Sequence, residues 1–300
     1  MIWTGVIVAL ILIVIVLRLA GTPMRRAIML ERASCQAIEK KDWESAARFC
    51  RDSYRIVSAM KEPAKSRCEA TVEVQLASIL YRQGKMTEAD DLFRKGFSKA
   101  RATGRHTLMM QPLLVWGDLC IDDGRLSEAE QHYREALDLE EKTGNLGMMI
   151  FELQRLGDSL IRQDRRDEAE ETINRAIALE TRVVHEQMIR EGKNPAEHHV
   201  LSWSMPDLHF CRGQYEDARQ IYRRKVEFWE KSVTRPDNID LGHLQMRLAA
   251  AEAHTGHRAE ALEMYTRAEA TFAREWCEAH PKVAAARAAK ADLTPAPLFR

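Results

Sequence analysis

Along most of the chain, large apolar, small and polar positions recur in one order around a tight-turn residue. With Lys41, Gly84, Gly124, Asp164, Gly213 and Gly256 as the turns, the position eight residues upstream holds Ala33, Leu76, Trp116, Leu156, Met205 or Leu248. The residue that follows is small in Ser34, Ala77, Gly117, Gly157 and Ala249, with Pro206 as the exception. Five residues past each turn stands an alanine: Ala46, Ala89, Ala129, Ala169, Ala218 or Ala261. Nine past it come Cys50, Phe93, Tyr133, Ile173, Tyr222 or Tyr265, and twelve past it Gly96, Ala136, Ala176 or Ala268. Each unit reads as helix, short turn, helix. Small residues let the two antiparallel helices approach closely, and the large-then-small order downstream locks one hairpin on the next. The turns are 43, 40, 40, 49 and 43 residues apart, a self-similar period that predicts a stacked array in which no unit buries its apolar face alone. The second helices are expected to open on caps at Thr87 with Asp90, Ser127 with Glu130 and Asp167 with Glu170, an oxygen acceptor followed three residues on by an acid.

A different pattern precedes the array. Residues 2–17 carry no charge, and only Thr4 and Gly5 interrupt their large apolar side chains. This stretch predicts a membrane span over residues 1–20, marginal in length and closed by a snorkelling Arg18. A cleaved secretory signal fits less well, because no basic side chain precedes the apolar run. Arg18, Arg25, Arg26 and Arg32 follow it, which by the positive-inside bias predicts a single-pass protein with its repeats facing the cytoplasm, in a bacterial inner membrane. Residues 21–27 then form a basic juxtamembrane linker, 28–276 the array, 277–292 a C-terminal capping helix and 293–300 a loose tail.

Charge changes this picture little. Lys and Arg together number 45, and so do Asp and Glu, so no global field draws the chain to nucleic acid. Six cysteines stand singly, with no spacing of a metal ribbon or a disulfide framework, and are expected as free thiols. No phosphate loop, nucleophile elbow or His-Glu-x-x-His stretch occurs, so neither an enzyme nor a cofactor is expected.

The third unit reads Leu113-Leu114-Val115-Trp116-Gly117-Asp118 through Gly124-Arg125-Leu126-Ser127-Glu128-Ala129 to Tyr133 and Ala136-Leu137. It resembles the tetratricopeptide repeat family, and the likeness runs from about Ile28 to Trp276, with a period similar to the longer-helix subtype seen in kinesin light chains. The resemblance implies an all-α, right-handed superhelix of about six helical hairpins, here preceded by one transmembrane helix. It also implies a groove lined by the first helices. Carried over residue by residue, that groove comprises Ser78, Asp118, Asp158 and Asp207; Tyr81, Ile121, Ile161 and Phe210; Arg82, Asp122 and Arg162; and Val74, Leu114, Gln154, Trp203 and Met246. Ionised aspartates only accept hydrogen bonds, so a ligand offering backbone amides plus Lys or Arg is preferred. Alternatively, the aspartates simply bridge to Arg155, Arg162 or other neighbours.

The function expected is that of a membrane-anchored scaffold holding a protein or peptide segment in this groove, with the bilayer contacted through residues 2–20. A self-assembling structural protein is the alternative. The irregular fifth unit, where Asn194-Pro195 predicts a helix start and Pro206 a break in that helix, leaves room for a minor enzyme or metal reading. However, His198, His199, His209 and Cys211 there match no ligand spacing.

Overall fold

The computed structural model describes residues 22–62, 64–104, 109–194, 202–232 and 239–293. Among these residues all regular structure is helical. The helices are α1 (Pro23–Glu39), α2 (Trp43–Ser58), α3 (Ala64–Arg82), α4 (Met86–Ala102), α5 (Met110–Asp122), α6 (Leu126–Thr143), α7 (Leu146–Arg162), α8 (Arg166–Arg190), α9 (Met205–Cys211), α10 (Tyr215–Ser232), α11 (Ile239–His254), α12 (Arg258–Glu275) and α13 (Pro281–Leu293). They fall into two compact units, one within residues 1–109 and one within residues 110–300.

In the first unit α1 packs on α2, α2 on α3 and α3 on α4; in the second, each helix from α5 to α13 packs on the next. The repeated positions explain this order. All six alanines placed five past the turn are fully buried, as are Cys50, Phe93 and Tyr133, with Ile173, Tyr222 and Tyr265 nearly so. Each large side chain removed from water in this way contributes about 1.5–3 kcal/mol. The turns close as the register requires: Gly84, Gly124, Gly213 and Gly256 have positive φ, and Lys41 (φ 58°) and Asp164 (φ 56°) adopt the same left-handed conformation without being glycine. A Cβ built on Gly117 would lie 2.4 Å from the Tyr133 ring, so the α5–α6 contact depends on a missing side chain.

Three expectations are corrected. No helix among the described residues is long and apolar enough to cross a membrane, so the transmembrane helix is not part of the described fold and the single-pass, cytoplasm-facing placement falls with it. The apolar run at residues 1–20 lies outside the described residues, and the first described helix, α1, is charged through Arg25, Arg26, Glu31 and Arg32. Second, α4, α6 and α8 start at Met86, Leu126 and Arg166, one residue before Thr87, Ser127 and Asp167, and their cap positions are Lys85, Arg125 and Arg165, which make no side-chain cap. Third, Pro206 opens α9 in its first turn and interrupts nothing, because that turn needs no amide hydrogen from it. The predicted start at Asn194-Pro195 runs into residues 195–201, outside the described set.

Candidate functional site

In the second unit the first helices of successive hairpins, α5, α7 and α9, carry Asp118, Asp158 and Asp207 six residues before their turns. Asp118 accepts a hydrogen bond from the Tyr133 hydroxyl at 2.9 Å and has Arg155 at 3.7 Å. Asp207 accepts from the Tyr222 hydroxyl, and from Arg247 at 2.7 and 2.8 Å. The two sites are copies. Each tyrosine stands nine past its turn, and each arginine nine before the next turn in the chain that it serves, Asp164 for Arg155 and Gly256 for Arg247. Asp158 departs from the module because Ile173 and Ser204 occupy those places; it pairs instead with Arg162, one helical turn along, at 3.1 Å.

Burial sets the electrostatics. It pushes the Tyr133 and Tyr222 hydroxyls well above the usual phenol range, with Asp118 and Asp207 adding to the effect. Burial alone would raise Asp158, but Arg162, Arg247 and Arg155 outweigh it and hold the carboxyl below its ordinary value. Asp118 raises Arg155; burial alone would lower Arg247, but Asp207, Tyr222 and Asp158 together outweigh it and hold it above its ordinary value. His243 is pushed well below the usual imidazole range by burial and then by Arg155, Lys282, Arg247 and Arg162, so it is neutral at physiological pH.

These groups surround a cavity of about 90 Å³, lined by Asp118, Ile121 and Asp122 of α5, Arg155, Asp158 and Arg162 of α7, and His243, Met246 and Arg247 of α11, with Tyr133, Phe272, Lys282 and Ala285 completing it. It suits ordered water or a single inserted side chain.

Six residues predicted for the groove meet at this cavity: Asp118, Ile121, Asp122, Asp158, Arg162 and Met246. Leu114 and Ile161 are half-buried elsewhere on α5 and α7. The Gln154 amide donates to Glu180 and Ser204, both at 3.0 Å. Trp203 is 43% exposed with the Lys225 ammonium 4.8 Å from its ring, and Phe210 meets Tyr215 and His254 edge-on. In the first unit, Val74 and Tyr81 are buried, the Ser78 hydroxyl donates to the Val74 carbonyl at 3.1 Å, and Arg82 lies 5.2 Å from the Trp43 ring. Sequence reasoning missed His243, Arg247 and Lys282 as lining groups. A signal for Arg247 existed, since it shares the register of Arg155.

The histidines and cysteine of the irregular unit do not converge. His209 Nδ1 meets the Gln214 side chain at 2.7 Å, Cys211 Sγ donates to the Arg166 carbonyl at 3.4 Å, and His198 and His199 lie outside the described residues. Cys120, Glu128 and His132 bring their donor atoms within 4.8 Å of one another. Glu128 is also bound to Arg125 at 2.8 Å and His132 stacks on Trp116 at 3.8 Å, contacts that build the hairpin.

Residues 68–142 match the tetratricopeptide repeat model. Three solved structures share the fold more widely. The apo form of RapI is 11% identical, covering 89% of this chain and 99% of its own, with a TM-score of 0.56. A Rap protein complexed with Competence and Sporulation Factor is 12% identical, covering 91% and 75%, at 0.55. The Rap conjugation gene regulator of the plasmid pLS20, in complex with the Phr* peptide, is 14% identical, covering 90% and 75%, at 0.52. No curated protein matches the chain. The protein is thus an all-α helical solenoid of tetratricopeptide-like fold, and at these identities the likeness concerns the fold.

Proposed function

We propose that the protein is a scaffold without chemistry of its own, and that it binds a protein or peptide segment on the face formed by α5, α7 and α11. The observation that carries this reading is the convergence of six groove residues, contributed by separate hairpins, on one polar cavity. Support also comes from the pLS20 regulator of similar fold, whose structure holds a peptide. The aspartates are engaged by arginines and tyrosines, so the face offers fixed, oriented dipoles and guanidinium edges rather than a bare acidic stripe, and a ligand with backbone amides and a basic side chain fits it. In the first unit the same register places Ser78 and Arg82 at the corresponding positions, with Val74 and Tyr81 buried beneath them. The 40- to 43-residue spacing of most turns supports reading the repeats as the long-period subtype.

A photo-crosslinking side chain at Ile121 or Met246 tests the reading against one at Ile189, which is 64% exposed at the end of α8. Partners from cell extract should crosslink at the first two positions only. Equal crosslinking at Ile189, or none at Ile121 and Met246, defeats it.

A further inference from the structure

The third unit departs from its neighbours at three places of the repeat. Four residues before the turn, four past it and eight past it, the second unit has Leu80, Glu88 and Leu92, and the fourth has Leu160, Glu168 and Thr172. The third has Cys120, Glu128 and His132. A glutamate at the middle place is ordinary for this array. A thiol and an imidazole on either side of it occur together in this unit alone.

The fold brings the three side chains to one point. Glu128 and His132 are one helical turn apart on α6 and share a face, and Cys120 meets that face from α5. Their donor atoms all lie within 4.8 Å of one another, and among the described residues this is the one such convergence of three His, Cys, Asp or Glu side chains. Cys120 is fully buried and His132 nearly so, while the Glu128 side chain is 40% exposed and gives the trio a solvent-facing edge. Both donors on α6 are oriented by neighbours: the His132 ring lies against Trp116, and Arg125 bonds Glu128 through Oε2. Such flanking contacts hold ligands in place without taking up every donor atom, since a carboxylate has two oxygens and an imidazole two nitrogens.

We propose that Cys120, Glu128 and His132 bind a Zn²⁺ ion that fastens α5 to α6, with water as the fourth ligand on the Glu128 side. Thiolate, imidazole and carboxylate are the ligand types of zinc, and the thiolate selects against Mg²⁺ and Ca²⁺, which take oxygen. Bond lengths of about 2.0–2.3 Å put tetrahedral donors roughly 3.3–3.8 Å apart, so the trio closes by about 1 Å through small side-chain rotations. On binding, the Cys120 thiol releases its proton to solvent, and thiolate plus carboxylate then balance the charge of the ion. Because α5 also brings Asp118, Ile121 and Asp122 to the cavity, the ion braces the helix that carries them. The metal site itself stands whether or not that face holds a peptide.

The test titrates the full chain, kept reduced, with Co²⁺ and then with Zn²⁺ in competition. Co²⁺ should give a thiolate-to-metal charge-transfer band and the strong visible bands of a tetrahedral ion, and Zn²⁺ should abolish both. Cys120→Ser should remove the charge-transfer band. Glu128→Gln and His132→Gln should each weaken Co²⁺ binding about tenfold or more, since even groups that only orient a ligand are worth that much. Zn²⁺ should slow amide exchange in α5 and α6 of the native chain and leave that of Cys120→Ser unchanged. Circular dichroism checks that each variant folds, and Glu128→Gln, which alters the most exposed ligand, decides the matter where a buried substitution unfolds the chain. No charge-transfer band in the native chain, a band that survives in Cys120→Ser, or an affinity unmoved by Glu128→Gln or His132→Gln overturns the proposal.

Discussion

Two residues show how strongly local surroundings fix behaviour. Gly117 leaves the space that the Tyr133 ring fills, and the ring cannot retreat because its hydroxyl is bonded to Asp118. Gly117→Val should lower stability by about 1–3 kcal/mol through overpacking, read as a fall in the urea midpoint at unchanged slope. Glu152 is fully buried on α7, and neither of its carboxylate oxygens meets a hydrogen-bond donor among the described residues. Burial, with the nearby Glu140 charge second, pushes its pKa up to about 8 from an ordinary 4.5. The folded state holds that proton where the unfolded chain releases it. This contribution is therefore whole below pH 4.5 and is lost as pH rises towards 8, at up to about 1.4 kcal/mol per pH unit. Urea midpoints between pH 5 and 8 should fall for the native chain and fall less for Glu152→Gln; parallel curves would refute the assignment. Gly117 was legible in the sequence as a small residue at a contact. Glu152 was not, because in one dimension a glutamate on an amphipathic helix looks like any solvated charge.

At the scale of the element, the fifth unit shows how a regular hairpin is replaced. Its first helix is only the seven residues of α9, and the missing turns are compensated by Glu180 in the second half of the long α8. Glu180 accepts from the Ser202 hydroxyl, from the Ser204 hydroxyl at 2.7 Å and amide at 3.3 Å, and from Gln154 at 3.0 Å. A buried carboxylate that gathers these donors pins the entry to α9. Glu180→Ala strands several of them, at about 1–3 kcal/mol per buried group left unsatisfied. Amide exchange in residues 205–211 should accelerate well beyond that in α6, and equal protection would show that α9 is held by its apolar contacts alone. The insertion was legible as one long interval; its anchor was not, since Glu180, Ser202 and Ser204 fall in the irregular unit, where no repeated register marks their contact. The misplaced caps have a physical reason too. Arg125 and Arg165 precede their helices and pair with Glu128 and Glu168 in the first turn at 2.8 and 2.6 Å, so acids near the positive helix end replace a capping hydroxyl.

Across the whole molecule, the repeat pattern specifies neighbours well and distant contacts poorly. The hairpins, turns and buried alanines could be read because each is encoded within about one period. The Asp122–Lys282 contact, 3.2 Å between α5 and α13, could not, as nothing in a repeat registers how the first and last helices of a unit meet. The same locality governs how damage spreads, since stability in stacked hairpins is a sum of unit and nearest-neighbour terms. Ala218 is fully buried where α10 meets its neighbours, in a cluster with Tyr222, Val226, Leu241 and Leu248. Ala218→Leu adds bulk that this contact cannot admit, so α9, α10 and α11 should lose protection from hydrogen exchange together. Helices α1 to α4 have their own core, with Ala46, Val57, Phe93 and Phe97 fully buried, and should keep the protection of the unaltered chain. A uniform loss from α1 to α13 would mean that the two units open as one cooperative body, and the additive account would fail.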